Sequence, residues 1–222
     1  GIGTNALFNF PWKVDISPYG QYALVAETGT IRKIIISTAE VSTLAGQTSS
    51  GTTNGFGTNA KFTNLKGVAI SSDNTYCLVT DGNNQIRKII TSTQEVSLLV
   101  GQTTSGGTTN GIGTNAQFNT PYGLTISPDN SYCLVADSSN NQIRKIILST
   151  LQVTLLAGSS QGLANGIGTN ALFNYPRDIT ISSDGSFALI SDFSNNQIRL
   201  LTLPPSPTSS PSVAPTLSPS YI

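Results

Sequence analysis

The chain repeats itself four times, and that alone removes most folds from consideration. GIGTNALFNFP begins at residue 1, GFGTNAKFTNL at 55, GIGTNAQFNTP at 111 and GIGTNALFNYP at 166, so the steps are 54, 56 and 55 residues. A second marker keeps the same phase: Asp81 opens DGNNQIRKI, Asp137 opens DSSNNQIRKI, Asp192 opens DFSNNQIRLL, and Glu27 opens the degenerate first copy, ETGTIRKI. A fixed period of this size marks a stack of supersecondary units, none of which buries its apolar face alone.

Within one repeat the pattern is β throughout. In the third, apolar runs at 123–127 (GLTIS), 132–136 (YCLVA), 142–148 (QIRKIIL) and 152–157 (QVTLLA) are separated by turn-forming Pro, Asp, Asn, Ser and Thr. Sustained 3.6-residue periodicity is absent, so almost no helix is expected. The four runs form a small antiparallel meander, and copies ranged around an axis cover one another's faces. The expected fold is therefore an all-β propeller of four blades, spanning about 1–54, 55–110, 111–165 and 166–203, with an extended tail at 204–222.

The ordered elements Asn-Asn-Gln-Ile-Arg-Lys, then Val-x-x-Leu-Ala-Gly, then Asn-Gly-x-Gly-Thr-Asn-Ala-x-Phe-Asn-x-Pro resemble NHL-repeat β-propellers over residues 1 to about 203. The chain departs from that pattern in carrying Asn54, Asn110 and Asn165, where the family often has Asp, and in its degenerate first copy. The resemblance implies closed rings, usually of more than four blades. The fourth repeat is short of a strand: after the run at 197–203, Pro204 and Pro205 stop it and no Val-x-x-Leu-Ala-Gly follows. The outer strand of that blade is expected either from a segment preceding residue 1 or from another molecule. Otherwise an open edge invites pairing.

Composition narrows the function. Charged residues make up 10% of the chain, and eleven basic residues balance eleven acidic ones. This disfavours nucleic acid and anionic membranes as partners, because both require a basic face. No stretch approaches the roughly 20 apolar residues of a membrane helix. Met is absent, so residue 1 does not read as a translation start, and the chain reads as processed or as part of something longer. His is also absent, which removes Ser-His-Asp and Cys-His catalysis and His-bound metal. No cofactor is expected, and no enzymatic activity. GIGTNA matches a dinucleotide fingerprint, but it occurs between strands in every copy, where its glycines serve a tight connection with positive φ.

The repeated acid and arginine, Glu27 with Arg32, Asp81 with Arg87, Asp137 with Arg144 and Asp192 with Arg199, read as structural pairs; if exposed, each contributes about 0–1 kcal/mol. Phe8, Phe62, Phe118 and Phe173 recur at one position and read as core. Cys77 and Cys133 stand where the other copies have Ala23 and Ala188, and read as small buried residues too far apart to bridge. Trp12, Tyr122 and Arg177, with Lys66 in the second copy, occupy the variable position before the first strand. That position is the candidate binding face.

The tail, PPSPTSSPSVAPTLSPSYI, favours extended polyproline structure and resembles the O-glycosylated stalks of secreted and cell-wall proteins. Ser206, Thr208, Ser209, Ser210, Ser212, Thr216, Ser218 and Ser220 are the candidate O-glycosylation sites; no Asn-x-Ser/Thr sequon occurs. The expectation is an extracellular or cell-surface structural or adhesion protein that assembles with copies of itself by strand or tail exchange, a fibre being one such assembly. The alternative is a sensor propeller that recognises a glycan or peptide on its loop face.

Overall fold

The computed structural model of the chain describes residues 1–103 and 106–204. The eight candidate glycosylation sites, Ser206 to Ser220, lie outside the described residues.

Each repeat contributes one antiparallel sheet. Blade 1 runs β1 (Lys13–Ile16), β2 (Tyr22–Glu27), β3 (Thr30–Ile35) and β4 (Glu40–Gly46), in that order from the innermost strand outward. Blade 2 holds β5 (Gly55–Phe56), β6 (Gly67–Ile70), β7 (Tyr76–Asp81), β8 (Gln85–Ile90) and β9 (Glu95–Gly101), in the order β6-β7-β8-β9-β5. Blade 3 repeats this with β10 (Gly111–Ile112), β11 (Pro121–Ile126), β12 (Tyr132–Asp137), β13 (Gln142–Ile147) and β14 (Gln152–Ala157). Blade 4 has three strands among the described residues, β15 (Pro176–Ile181), β16 (Phe187–Asp192) and β17 (Gln197–Thr202). The helical content is confined to 3-10 turns of three residues each.

In blades 1 to 3 the GIG segment of each repeat begins at the outer rim of its own blade. Gly55 and Phe56 pair with Val96 and Glu95, Gly111 and Ile112 with Val153 and Gln152, and Ile2 bridges Glu40. The chain then turns at Gly3, Gly57, Gly113 and Gly168, all at φ between +53 and +58°, and crosses to the axis. These glycines relieve a left-handed backbone that a Cβ would strain. Beyond the crossing, Phe10, Asn64, Thr120 and Tyr175 also take positive φ and throw the chain into the innermost strand. The second Asn of the Asn-Asn-Gln marker supports this bend in the following blade. Asn84 Oδ1 accepts the Thr120 N–H at 2.8 Å, and Asn141 Oδ1 accepts the Tyr175 N–H at 2.9 Å. The marker therefore joins blade to blade.

Three apolar cores lie between the four blades. Tyr22, Leu24 and Ala26 of blade 1 meet Val68, Ile70, Cys77 and Val79 of blade 2. Ala69, Leu78 and Ile86 meet Leu124, Cys133 and Val135, and Leu134, Ala136 and Ile143 meet Ile179, Ala188 and Ile190. Both cysteines are free and fully buried, in different cores. Burial pushes both thiols up, Cys77 to about 12. Phe62, Phe118 and Phe173 are buried, but Phe8 is 38% exposed and corrects the expectation of a core residue. The buried rings lie against Gly46, Gly101 and Gly158 at the end of the preceding blade, whereas Phe8 sits on the open face of blade 1.

Candidate functional site

Two constellations carry the repeated polar residues. The first is the acid–arginine pair. Arg32 Nη1 lies 3.3 Å from Glu27, Arg87 3.3 Å from Asp81, Arg144 3.0 Å from Asp137 and Arg199 2.9 Å from Asp192. Both members are fully buried in blades 2 and 3, so the surface value for such pairs does not apply to them. Each acid also accepts a backbone N–H from the crossing segment of its own repeat: Asn9, Thr63, Asn119 and Asn174, at 2.7–2.8 Å. The other arginine nitrogen, Nη2, donates to Asn54, Asn110 and Asn165 in the later three blades. A neutral Asn there leaves each arginine one carboxylate partner. Each guanidinium also stacks over the recurrent phenylalanine of its blade, 5.2–5.5 Å from the ring centroid. Burial pushes Asp81 and Asp137 up to about 6, against the hydrogen bonds and the arginine charge that hold them down. These pairs tie the crossing segment to the third strand.

The second constellation is at the axis. The bends at Phe10, Asn64, Thr120 and Tyr175 deliver Trp12, Lys66, Tyr122 and Arg177 to one small depression of about 150 Å³, which Lys13, Gly123 and Asp178 complete. Trp12 and Tyr122 meet edge to face at 6.2 Å. Lys66 Nζ lies 3.4 Å from the Trp12 ring centroid and 5.4 Å from that of Tyr122. Arg177 covers Phe193 at 3.5 Å and approaches Tyr122 at 5.4 Å. Lys13 pairs with Asp178 between blades 1 and 4. Burial, helped by the neighbouring Arg177 charge, pushes the Lys66 ammonium down. The structure thus brings Trp12, Tyr122 and Arg177 together. Sequence reasoning placed Lys66 in the series but missed that it fills the gap between two rings; its position in the repeat was the available signal. The depression is smaller than the roughly 300–1,000 Å³ of typical ligand pockets. Among the described residues, no group of three or more His, Cys, Asp or Glu side chains could hold a metal ion. No described helix is long and apolar enough to cross a membrane.

Comparison with known proteins follows the repeats. The chain is 30% identical over 156 residues to NHL repeat-containing protein 2 of Bos taurus, and 28% identical over 155 residues to the protein of that name from Homo sapiens. Each match covers 65% of this chain and 21% of the relative. The similarity supports the NHL-repeat family. Protein SUPPRESSOR OF QUENCHING 1, chloroplastic, of Arabidopsis thaliana is 26% identical over 221 residues, or 90% of this chain and 20% of the relative. The chain thus spans about a fifth of the length of the curated relatives it matches, and no family model matches it. An auxiliary nutrient binding protein of Bacteroides thetaiotaomicron superposes with a TM-score of 0.68 at 18% identity, covering 84% of this chain and 46% of that one. A putative phosphatase of the same species gives 0.63 at 14% identity, over 86% and 47%. At these identities the likeness is one of fold: the four repeats build a four-bladed propeller arrangement.

Proposed function

We propose that the chain is a non-enzymatic, extracellular building block that associates head to tail with copies of itself through its two end blades. The observation that carries this is the chemistry of the open face of blade 4. In blades 1 to 3 the corresponding face carries a tyrosine under a lysine: Lys33 over Tyr22, Lys88 over Tyr76 and Lys145 over Tyr132, each 4.2–4.3 Å from the ring centroid. In blade 4 those positions are Phe187 and Leu200. Leu189 lies opposite Leu200 in the register, and Ile198 completes an apolar row that is 68% exposed at Ile198 and 65% at Leu200. At Phe187 and Leu200 this face is more apolar than its counterparts in blades 1 to 3.

Blade 1 carries the complementary half. Val14 and Ile16, 55% and 60% exposed, are the counterparts of Val68 and Ile70, which blade 1 itself buries in blade 2. The internal blade contact, made three times within the chain, supplies the template for a fourth between copies. Such a heterologous contact closes into a ring or extends as a fibre, according to its rotation. The weakly charged surface and the Pro/Ser/Thr composition of 204–222 support an extracellular location, with O-glycans on the tail. Sedimentation velocity over a wide concentration series, with electron microscopy of the same samples, tests the association. Rings or filaments are expected, and a monodisperse monomer throughout the series sinks the reading.

The convergence of Trp12, Lys66, Tyr122 and Arg177 supports a second reading, recognition of a glycan or peptide on the loop face. Titration of glycan and peptide panels against Trp12 emission tests it; a ligand whose binding disappears in Trp12→Ala is the expected result.

A further inference from the structure

Lys66 enters the axial depression just before β6, among Trp12, Tyr122 and Arg177 from the other three blades. It is only 8% exposed, yet its ammonium makes no ion pair with a described residue. The chain treats its other buried cations differently: Arg87, Arg144 and Arg199 each hold a carboxylate at 2.9–3.3 Å. A buried charge without a partner is unfavourable, and two aromatic rings offset only part of that. Arg177 likewise makes no ion pair with a described residue, and its Nε is buried without a hydrogen-bond partner. We propose that the depression binds the carboxylate of an acidic sugar, a uronic acid residue of a glycan, with Lys66 as its ion-pair partner and Arg177 as the second positive charge. The proposal rests on the second reading above, recognition on the loop face, and names the chemistry of its ligand.

The charges around the depression do not balance. Lys13, Lys66 and Arg177 line it against one carboxylate, that of Asp178. Asp178 is already engaged: one oxygen pairs with Lys13 and the other accepts the Ile179 N–H. Two positive charges are left facing the same small space. Burial, and after it the Arg177 charge, pushes the Lys66 ammonium down. An incoming carboxylate opposes both effects, because it replaces lost solvation and screens one cation from the other. The bond it makes to the ammonium is charge-assisted and so of the stronger kind.

Size and shape favour a sugar as the carrier of that carboxylate. At about 150 Å³ the depression has room for one small residue and not for an extended chain. Trp12 is 46% exposed while its ring carries the Lys66 ammonium at 3.4 Å, so a flat apolar surface lies directly beside the cation. A uronic acid matches both in a single residue, with the C–H face of its ring for the indole and its carboxylate for the lysine.

The test titrates the full chain with trigalacturonate and with its methyl ester, which keeps the rings and removes the charge. The chain has one tryptophan, so emission reports on Trp12 alone. Saturable binding of the acid with a change in emission is expected, at least tenfold weaker for the ester and weakened by added salt. Lys66→Met keeps an apolar stem against the rings and removes an unpaired charge, so Tm should hold while affinity for the acid falls at least tenfold. Arg177→Gln should weaken binding as well, and decides the matter should Lys66→Met not fold. No saturable binding of the acid, or undiminished binding by the folded variants, overturns the proposal. Equal binding of acid and ester, lost in Trp12→Ala, overturns the carboxylate and leaves recognition on the loop face standing. Tighter binding of acetyl-Gly-Phe with a free carboxylate than of trigalacturonate assigns the site to a peptide terminus and likewise overturns it.

Discussion

Gly46 lies so close to the Phe62 ring that a Cβ at position 46 would stand 2.7 Å from Phe62 Cδ2, besides striking the Gly29 carbonyl. The backbone there has φ +92°, a region that L side chains avoid. This contact joins blade 1 to blade 2 and recurs with Gly101 against Phe118 and Gly158 against Phe173. Gly46→Ala is therefore expected to overpack the joint and cost about 1–3 kcal/mol. At roughly 2–4 °C of Tm per kcal/mol for a domain of this size, thermal unfolding resolves the loss. Gly3→Asn is the control. It adds a side chain into open space at a left-handed position that Asn tolerates, and should leave Tm nearly unchanged.

The buried pairs make a different demand. Arg144 is fully buried, and its only carboxylate partner among the described residues is Asp137. Asp137→Asn leaves an uncompensated guanidinium under the Phe118 ring, and the expected loss is about 3–5 kcal/mol in denaturant unfolding. Glu27→Gln in blade 1, where Arg32 keeps some solvent contact, should cost distinctly less. Equal losses for the two would show that burial does not decide the strength of these pairs.

Asp184 reports on the turns between the first and second strands. Its carboxylate accepts hydrogen bonds from Ser182 Oγ and from the Ser186 N–H and Oγ, which pull its pKa from 3.8 down to about 2. The folded value lies below the unfolded one, so the native chain favours the charged form. Its contribution to stability is fully present above about pH 4 and is lost as pH falls toward 2. Carboxyl carbon shifts followed by NMR should place the midpoint near 2. A midpoint near 4 means that these hydrogen bonds do not hold in solution.

Much of this architecture was legible in the sequence because the repeat multiplies weak signals. Alternation in four short runs is poor grounds for a sheet once, but the same runs in phase with the acid and the Ile-Arg that follow it in every copy place every long strand. The two-residue edge strands Gly55–Phe56 and Gly111–Ile112 were not legible, since two residues have no periodicity. Their pairing depends on a rim contact that only the folded blade creates. Phe8 misled for a related reason: its environment belongs to the neighbouring blade and not to its own repeat. The axial cluster was partly visible. A position that holds Trp, Lys, Tyr and Arg in successive copies stands out against a conserved frame, but that a lysine would lie on the Trp12 ring depends on side-chain packing across blades.

The association proposed for blade 4 is tested most directly at Leu200. On the open face it stands where Lys33, Lys88 and Lys145 stand in the other blades. Leu200→Lys combined with Phe187→Tyr rebuilds the lysine-over-tyrosine pair that three blades already accommodate, so the fold should hold with little change in Tm. A charged, solvated face no longer favours apolar contact with Val14 and Ile16 of a second copy, and sedimentation should show association weakened at least tenfold. Unchanged association would remove the apolar face of blade 4 from the assembly altogether.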